Sequence, residues 1–218
     1  MGGLNSMKNL KNELQNLIFG NESKGRSKSF KKFQLYLRRN EKASSVSSKE
    51  KYFKKEEAIY LSEFITKEDF WFESEISSDN YLTEGAEQKV YRLDDQYVIK
   101  LNDAIFYESW SDYFNSLLIH NYFFPSTEYE LLGFRKINEE LHSVVKQRFI
   151  TSTEMADLKL VELFLSHNHF ERTRNNDYFN KEIGLIFEDL HDENIISNNG
   201  ILYFIDTVFY LTKEFYQD

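Results

Sequence analysis

The sequence predicts an α+β fold, and three observations carry that prediction. Residues 1–64 place apolar side chains at helical spacing. From residue 81 onward, short β-type runs follow one another through links of hairpin length. Amphipathic helical segments interrupt those runs. The resulting order is three strands, helix, two strands, helix, strand, acidic turn and strand pair. Such an order argues for antiparallel α+β architecture rather than a doubly wound parallel sheet.

Each element has its own signal. Leu10, Leu14 and Leu17-Ile18 recur as on a helix, and Gly20 sits where that helix should stop. Phe30, Phe33, Leu35 and Leu37 lie among Lys31, Lys32, Arg38 and Arg39, which predicts a basic amphipathic helix ended by Asn40. Ala43 to Ser48 is Ser-rich and apolar-poor, so it reads as a linker. A further helix is expected from about Lys51 to Phe64. The first 76 residues form a basic helical extension, and the main domain starts at residue 77. There, Tyr81-Leu82, Lys89 to Leu93 and Gln96 to Leu101 read as strands, the last two joined at Asp94-Asp95. Ala104 to Tyr122 is a strong helical pattern, with Phe106, Trp110, Tyr113, Phe114 and Leu117 on one stripe. Tyr129 to Phe134 and Leu141 to Ile150 are two more strands around a polar turn at Ile137 to Glu140. Thr153 is placed to cap a helix running to about Ser166. His167 to Asn180 is polar. The strand Ile183 to Phe187 follows.

Composition narrows the function. The 218 residues contain no cysteine, which excludes disulfides, thiolate metal sites and a cysteine nucleophile. No segment approaches the roughly 18 apolar residues of a membrane span, and no secretory leader pattern opens the chain, so a soluble cytoplasmic protein is expected. The net charge of -9 hides a division: residues 1–55 hold 14 Lys and Arg against 4 Glu, and residues 56–218 hold 13 against 32 acids. Either the two parts attract one another, or the basic arm takes an acidic protein or nucleic-acid partner. His167 and His169 alternate as on a strand, but no third ligand is spaced near them, so surface polarity is the expected reading rather than a metal site.

The chemistry concentrates at Phe187-Glu188-Asp189-Leu190-His191-Asp192-Glu193-Asn194-Ile195-Ile196 and at Leu202-Tyr203-Phe204-Ile205-Asp206. With 12 Asp and 18 Asn, chance alone supplies about one Asp-x4-Asn pair. The context is what raises it. Two apolar strands flank Asn198-Asn199-Gly200, and a hairpin there would bring Asn194 and Asp206 to one edge. A carboxylate and an amide oxygen together suit Mg²⁺ bound to nucleotide phosphates. Asp189 beside them is placed to orient an attacking hydroxyl and accept its proton. Upstream, Gly85 lies in a turn between strands. Lys100 ends Tyr97-Val98-Ile99-Lys100, where it could neutralise phosphate or simply snorkel to solvent.

Taken together, Gly85-x4-Val90-Tyr91, Val98-Ile99-Lys100, Asp189 to Asn194 and Ile205-Asp206 resemble, in order and spacing, the motifs of the protein-kinase-like fold. Asp-Leu-His-x-x-Asn is similar to the form found in aminoglycoside phosphotransferases and RIO-type kinases. More narrowly, Gly85 to Leu211 resembles the kinase domain of polyvalent proteins of bacterial mobile elements. That likeness is carried by Asn121 to Pro125, Glu188 to Asn194 and Tyr203 to Val208.

The resemblance implies a minimal two-lobed kinase-like fold behind the helical extension. Its N-lobe would be an antiparallel sheet with one helix, about 77–147, and its reduced C-lobe would span about 148–218. It implies ATP and Mg²⁺ as cofactors. Lys100 would contact the α- and β-phosphates under the Gly85 turn. Asp189 would be the catalytic aspartate, and Asn194 and Asp206 the metal ligands. Glu108, or the shorter Asp112 one turn on, would pair with Lys100. Backbone groups from Gln147 to Phe149 would face the adenine. The function so implied is an ATP- and Mg²⁺-dependent phosphotransferase whose acceptor is a protein, the chain itself or a small molecule. The alternative is an inactive relative that binds nucleotide or a partner through its basic arm. The sequence departs from the pattern in having one glycine in the phosphate loop, Glu188 before Asp189, and Thr207-Val208 after Asp206. With 12 residues beyond Asp206, no peptide-docking platform is expected within this sequence.

Overall fold

The computed structural model describes residues 2–43, 51–85 and 88–217. Of the expected linker, all but Ala43 lies outside the described residues. The chain divides into two compact units: residues 23–114 with 128–149, and residues 1–22 with 115–127 and 150–218. Each is described in turn. The architecture is α+β, as the sequence predicts, with N-terminal helices, a five-stranded antiparallel sheet and further small sheets.

In the first unit, β1 (Tyr81–Glu84), β2 (Gln88–Arg92), β3 (Tyr97–Asn102), β4 (Glu130–Ile137) and β5 (Glu140–Arg148) form one sheet in the order β1-β2-β3-β5-β4. Turn chemistry sets the register. The Asp94 carboxylate accepts the N–H groups of Gln96 and Tyr97 at 2.7 and 2.9 Å, which closes the β2–β3 hairpin. Asn138 and Glu139 adopt φ of 50° and 65°, the pair of left-handed residues that a two-residue hairpin needs between β4 and β5. The outer edge of β4 is covered by Phe70–Phe72, where the Phe72 N–H donates to the Phe134 carbonyl at 2.7 Å. Gly133 permits that approach, since a Cβ there would stand 2.9 Å from the Phe70 carbonyl oxygen.

Helices α1 (Gly2–Phe19), α2 (Ser27–Ala43) and α3 (Lys51–Lys67) precede the sheet in sequence, and the last two belong to its unit. Phe30, Phe33 and Leu37 recur on one face of α2 and are buried. The Phe33 ring meets those of Phe64, Phe70, Phe114 and Phe134 at centroid distances of 4.9–6.4 Å. Each such ring stabilises the unit by about 1.5–3 kcal/mol through burial. Part of the basic charge on and before α2 is met within the unit. Arg26, just ahead of the helix, lies 3.4 and 3.5 Å from Glu128 and Glu130, and Lys32 lies 2.6 Å from Glu68. Lys31 is itself buried against Gln34; that burial, with the Arg38 charge adding to it, pulls its pKa down to about 8.

Helix α4 (Trp110–Phe123) starts six residues later than its apolar pattern suggests. Polar side chains compete for the early backbone groups: Asn102 accepts the Ala104 N–H at 2.6 Å and Asp103 that of Ile105 at 2.9 Å. Ala104 is left-handed at φ 58°, and Phe106 consequently points out, 52% exposed. The helix begins where Ser109 accepts the Asp112 N–H at 3.0 Å and donates to its carboxylate at 2.6 Å. A second cap comes from α3, where the Glu57 carboxylate accepts the Trp110 N–H at 2.6 Å.

In the second unit, β9 (Ile195–Asn198) and β10 (Ile201–Phe204) form a hairpin, with Asn199 and Gly200 left-handed at its tip. A four-stranded sheet, β11-β8-β7-β6, is built from β6 (Glu171–Arg172), β7 (Tyr178–Asn180), β8 (Leu185–Glu188) and β11 (Val208–Leu211). Strands β6 and β7 lie in the stretch that reads as polar loop. His167 ends helix α5 (Leu158–His167) and His169 is left-handed, 3.5 Å from Glu182, so the two histidines do not share a strand. The cap of α5 is Asp157, which accepts the Lys159 N–H at 2.9 Å, and not Thr153. Thr153 instead accepts the Asn199 N–H at 2.7 Å, holding the hairpin tip. Phe124, Phe187, Phe204 and Phe209 stack as the core, with Phe187 and Phe209 centroids 4.2 Å apart. Helix α1 docks on the 3-10 turn Lys213–Tyr216, Lys11 and Gln15 donating to the Glu214 and Phe215 carbonyls at 2.8 and 2.7 Å. At Gly184, φ is 66° and a Cβ would stand 2.1 Å from the Phe215 nitrogen.

Candidate active site

Three of the singled-out residues come together in the second unit. Strand β8 ends at Glu188, and Asp189 turns the chain with φ 65°, a left-handed conformation unfavourable for a residue with a Cβ. Neighbouring bonds hold it there: the Asp189 N–H donates to the Asp177 carboxylate at 3.3 Å, and the buried Leu190 donates its N–H to the Asn176 carbonyl at 3.2 Å. Asn194, 8% exposed, closes the turn. Its amide nitrogen donates to the Asp189 carbonyl at 2.8 Å and to the Asp189 carboxylate at 2.7 Å.

The histidine inside the turn is held by three contacts. His191 Nδ1 accepts the Glu193 N–H at 3.3 Å, and Nε2 stands 3.1 Å from both Asp189 Oδ1 and the Asn194 amide nitrogen. Both oxygens of the Asp189 carboxylate are therefore oriented, one by Asn194 and one by His191. Glu188 adds a third carboxyl beside Asp177 and Asp189. Burial raises its pKa, the Asp177 charge adds to that, Arg174 opposes it and Asp189 adds a little more.

Across the mouth of the β9–β10 hairpin, the Asn194 carbonyl accepts the N–H groups of Ile205 and Asp206 at 3.0 and 3.4 Å. The hairpin thus ties Asn194 to Asp206 through the backbone, as the Asn-Asn-Gly spacing implies. The Asn194 amide nitrogen is committed to Asp189, and its amide oxygen and the Asp206 carboxylate are both hard oxygen donors by chemical type. Among the described residues no group of three or more His, Cys, Asp or Glu is arranged to hold a metal ion. Two protein oxygens without a full cage fit Mg²⁺, which keeps waters and takes the rest of its shell from phosphate.

The other candidates lie in the sheet unit. Lys100 sits in the middle strand, paired with Val90 on one side and Val145 on the other, and is only 4% exposed. It is not a strand-end lysine reaching for water. Its ammonium faces the Tyr129 hydroxyl at 3.5 Å and stands 5.3 Å from that ring's centroid. Gly85 follows β1, its N–H bonded to the Gln88 carbonyl at 2.9 Å, and a Cβ there would touch nothing within 4 Å. Packing therefore does not require a glycine at that position. Gln147 is buried on β5 opposite Val98, while the Phe149 N–H donates to the Gln96 carbonyl at 2.7 Å and is not left for a ligand. Glu108 is exposed and lies ahead of α4, not on it, and Asp112 is engaged with Ser109. The sequence reading passed over Glu57, a buried carboxyl at α4's first N–H. Its signal was present, for Phe53, Glu57 and Leu61 recur every four residues and put a carboxylate on an apolar stripe.

No curated protein and no solved structure matches this chain. A family model does, the one described as Serine/Threonine/Tyrosine Kinase found in polyvalent proteins, over residues 54–213.

Proposed function

The chain belongs to the Serine/Threonine/Tyrosine kinases found in polyvalent proteins, and on that premise we propose that it is an ATP- and Mg²⁺-dependent phosphotransferase of two-lobed kinase-like fold. The observation that carries the reading is the single bond network joining Asp189, Asn194 and Asp206. Residues 77–218 hold every group given a chemical role, and residues 1–76 serve as the extension that supports them.

Asn194, through its amide oxygen, and Asp206 would hold Mg²⁺, while Lys100 would neutralise the α- and β-phosphates beside Gly85. Glu108, exposed and ahead of α4, is kept as the proposed acidic partner of Lys100, and Gln147 and Phe149 as adenine contacts, the latter through its ring or carbonyl. Bound ATP and Mg²⁺ supply a transferable phosphoryl group and charge neutralisation at the β- and γ-oxygens. Asp189 orients the acceptor hydroxyl and takes its proton as the oxygen bonds to phosphorus and the bond to the ADP oxygen breaks. The left-handed turn and the His191 and Asn194 bonds hold that carboxylate in place before the acceptor arrives. The acceptor is a hydroxyl of a protein, of the chain itself or of a small molecule.

A second reading keeps nucleotide binding without transfer. It is favoured by the hydrogen bond from Asn194 and the close His191 contact already made to the Asp189 carboxylate. In that reading the basic arm would recruit an acidic protein or nucleic acid, with less to work with now that Arg26 and Lys32 pair with Glu128, Glu130 and Glu68.

A thermal-shift series with ATP and Mg²⁺, followed by γ-phosphate transfer with Asp189→Ala as control, separates the readings. Stabilisation with turnover that the variant abolishes supports the first. Stabilisation without turnover supports the second, and no stabilisation of folded protein removes both.

A further inference from the structure

We propose that Ser116, His120, Thr127 and Thr207 are positioning residues that fix the metal-binding geometry of Asp206, an inference that rests on the reading of Asp206 as a Mg²⁺ ligand. Ser116 and His120 stand four residues apart on α4, on one helical face, and both are fully buried. Thr127, also fully buried, ends the 3-10 turn that follows. Burying three polar side chains costs stability unless each is hydrogen-bonded, and each is. Their bonds converge on the six residues that contain Asp206. The Thr127 hydroxyl donates to the Phe204 carbonyl at 2.7 Å, two residues before it. His120 meets the Thr207 hydroxyl at 2.7 Å, one residue after it. The Phe209 N–H donates to the Ser116 hydroxyl at 3.0 Å, three residues after it.

The direction of the central bond follows from chemistry. His120 Nε2 lies 2.9 Å from the Thr127 carbonyl, which can only accept, so Nε2 carries the ring proton. Nδ1 of the neutral ring then accepts, and the Thr207 hydroxyl donates. Carbonyl, imidazole and hydroxyl form one chain that sets the Thr207 rotamer and with it the backbone leaving Asp206. On the other side, the Asp206 N–H is directed at the Asn194 carbonyl. The backbone of the aspartate is thus held from both sides.

An apolar filling would pack this region with less to lose. A fully satisfied polar network instead specifies one geometry. Mg²⁺ asks for that, because it demands near-ideal octahedral oxygens and tolerates little displacement. The threonine at 207, which departs from the general protein-kinase motif, thereby acquires a role that a phenylalanine could not fill.

The test compares Thr207→Val, which keeps the β-branched shape and removes the hydroxyl, with Thr207→Ser, which keeps the hydroxyl. Mn²⁺ is the probe. Its affinity for the ATP-bound protein is read by electron paramagnetic resonance, alongside ATP affinity in EDTA and folding by circular dichroism. Thr207→Val should weaken Mn²⁺ binding about 10-fold or more and leave metal-free ATP binding within about 2-fold, while Thr207→Ser should restore most of the loss. A role in packing alone would move both affinities together, or neither. Folded Thr207→Val with Mn²⁺ affinity within about 2-fold of wild type overturns the inference, as does a serine variant as weak as valine. Should Thr207→Val not fold, Ser116→Ala takes its place with the same expectation, and unchanged Mn²⁺ affinity there overturns it equally. The parent reading fails separately: wild-type protein that binds no Mn²⁺ with ATP, or Asp206→Asn that binds it as wild type does, removes both.

Discussion

Glu57→Gln should make the protein more stable at neutral pH, by an amount that depends on pH in a calculable way. Glu57 is 6% exposed on α3, with its carboxylate on the Trp110 N–H. Burial raises its pKa from 4.5 to about 7; the bonds from Trp110 and Ser111 pull the other way, and the Asp112 charge adds to the rise. A carboxyl whose folded pKa is raised binds more protons in the folded state. Its contribution is therefore full below about pH 4.5 and is lost as pH rises through about 7. The climb corresponds to about 3 kcal/mol in all, of which about 2.5 falls between pH 5 and pH 8. Glutamine keeps a carbonyl for the Trp110 N–H and has no charge to bury. Urea unfolding of wild type and variant should thus give similar stabilities near pH 5. Near pH 8 they should diverge, with the variant ahead by about 2 kcal/mol. Asp112, also raised by burial, is present in both proteins and largely cancels. A difference that does not change between the two pH values would refute the reasoning, because the carboxyl would then titrate alike in folded and unfolded chains.

Phe33→Ala should cost about 3–5 kcal/mol in the same urea experiment, since its ring fills the space among four others; a loss under 1 kcal/mol would mean that α2 is not part of the core. Asp157→Ala should cost about 1 kcal/mol and Asp157→Asn much less, the asparagine oxygen still accepting the Lys159 N–H; equal losses would place the cap elsewhere.

The parts of the fold that were legible are those whose cause is local. Asp94-Asp95 and Asn199-Gly200 carry their turns in their own side chains and dihedrals, and both hairpins are where the spacing puts them. The helix starts were not legible. Ala104 to Ser109 has the apolar period of a helix, yet Asn102 and Asp103 compete for its backbone and delay α4 to Trp110. Thr153 and Asp157 are both competent caps, and the choice between them is made by the β9–β10 tip, which needs the Thr153 hydroxyl for Asn199. Strands β6 and β7 are two and three residues long, too short for alternation to register, and they form because β8 offers them an edge.

The candidate site divides along the same line. Asp189, Asn194 and Asp206 were legible because an acidic turn and a hairpin place them by short-range geometry alone. The network behind them was not, because His120 and Thr207 stand 87 positions apart and neither carries a motif. A buried histidine on an apolar helix looks like core until its partner is known. Lys100 shows the reverse case. Its strand position suggested a lysine that snorkels, and only the pairing of β3 between β2 and β5 reveals an ammonium enclosed with Tyr129. Enclosing a cation is costly unless something compensates, and the Tyr129 hydroxyl and ring face are part of what does.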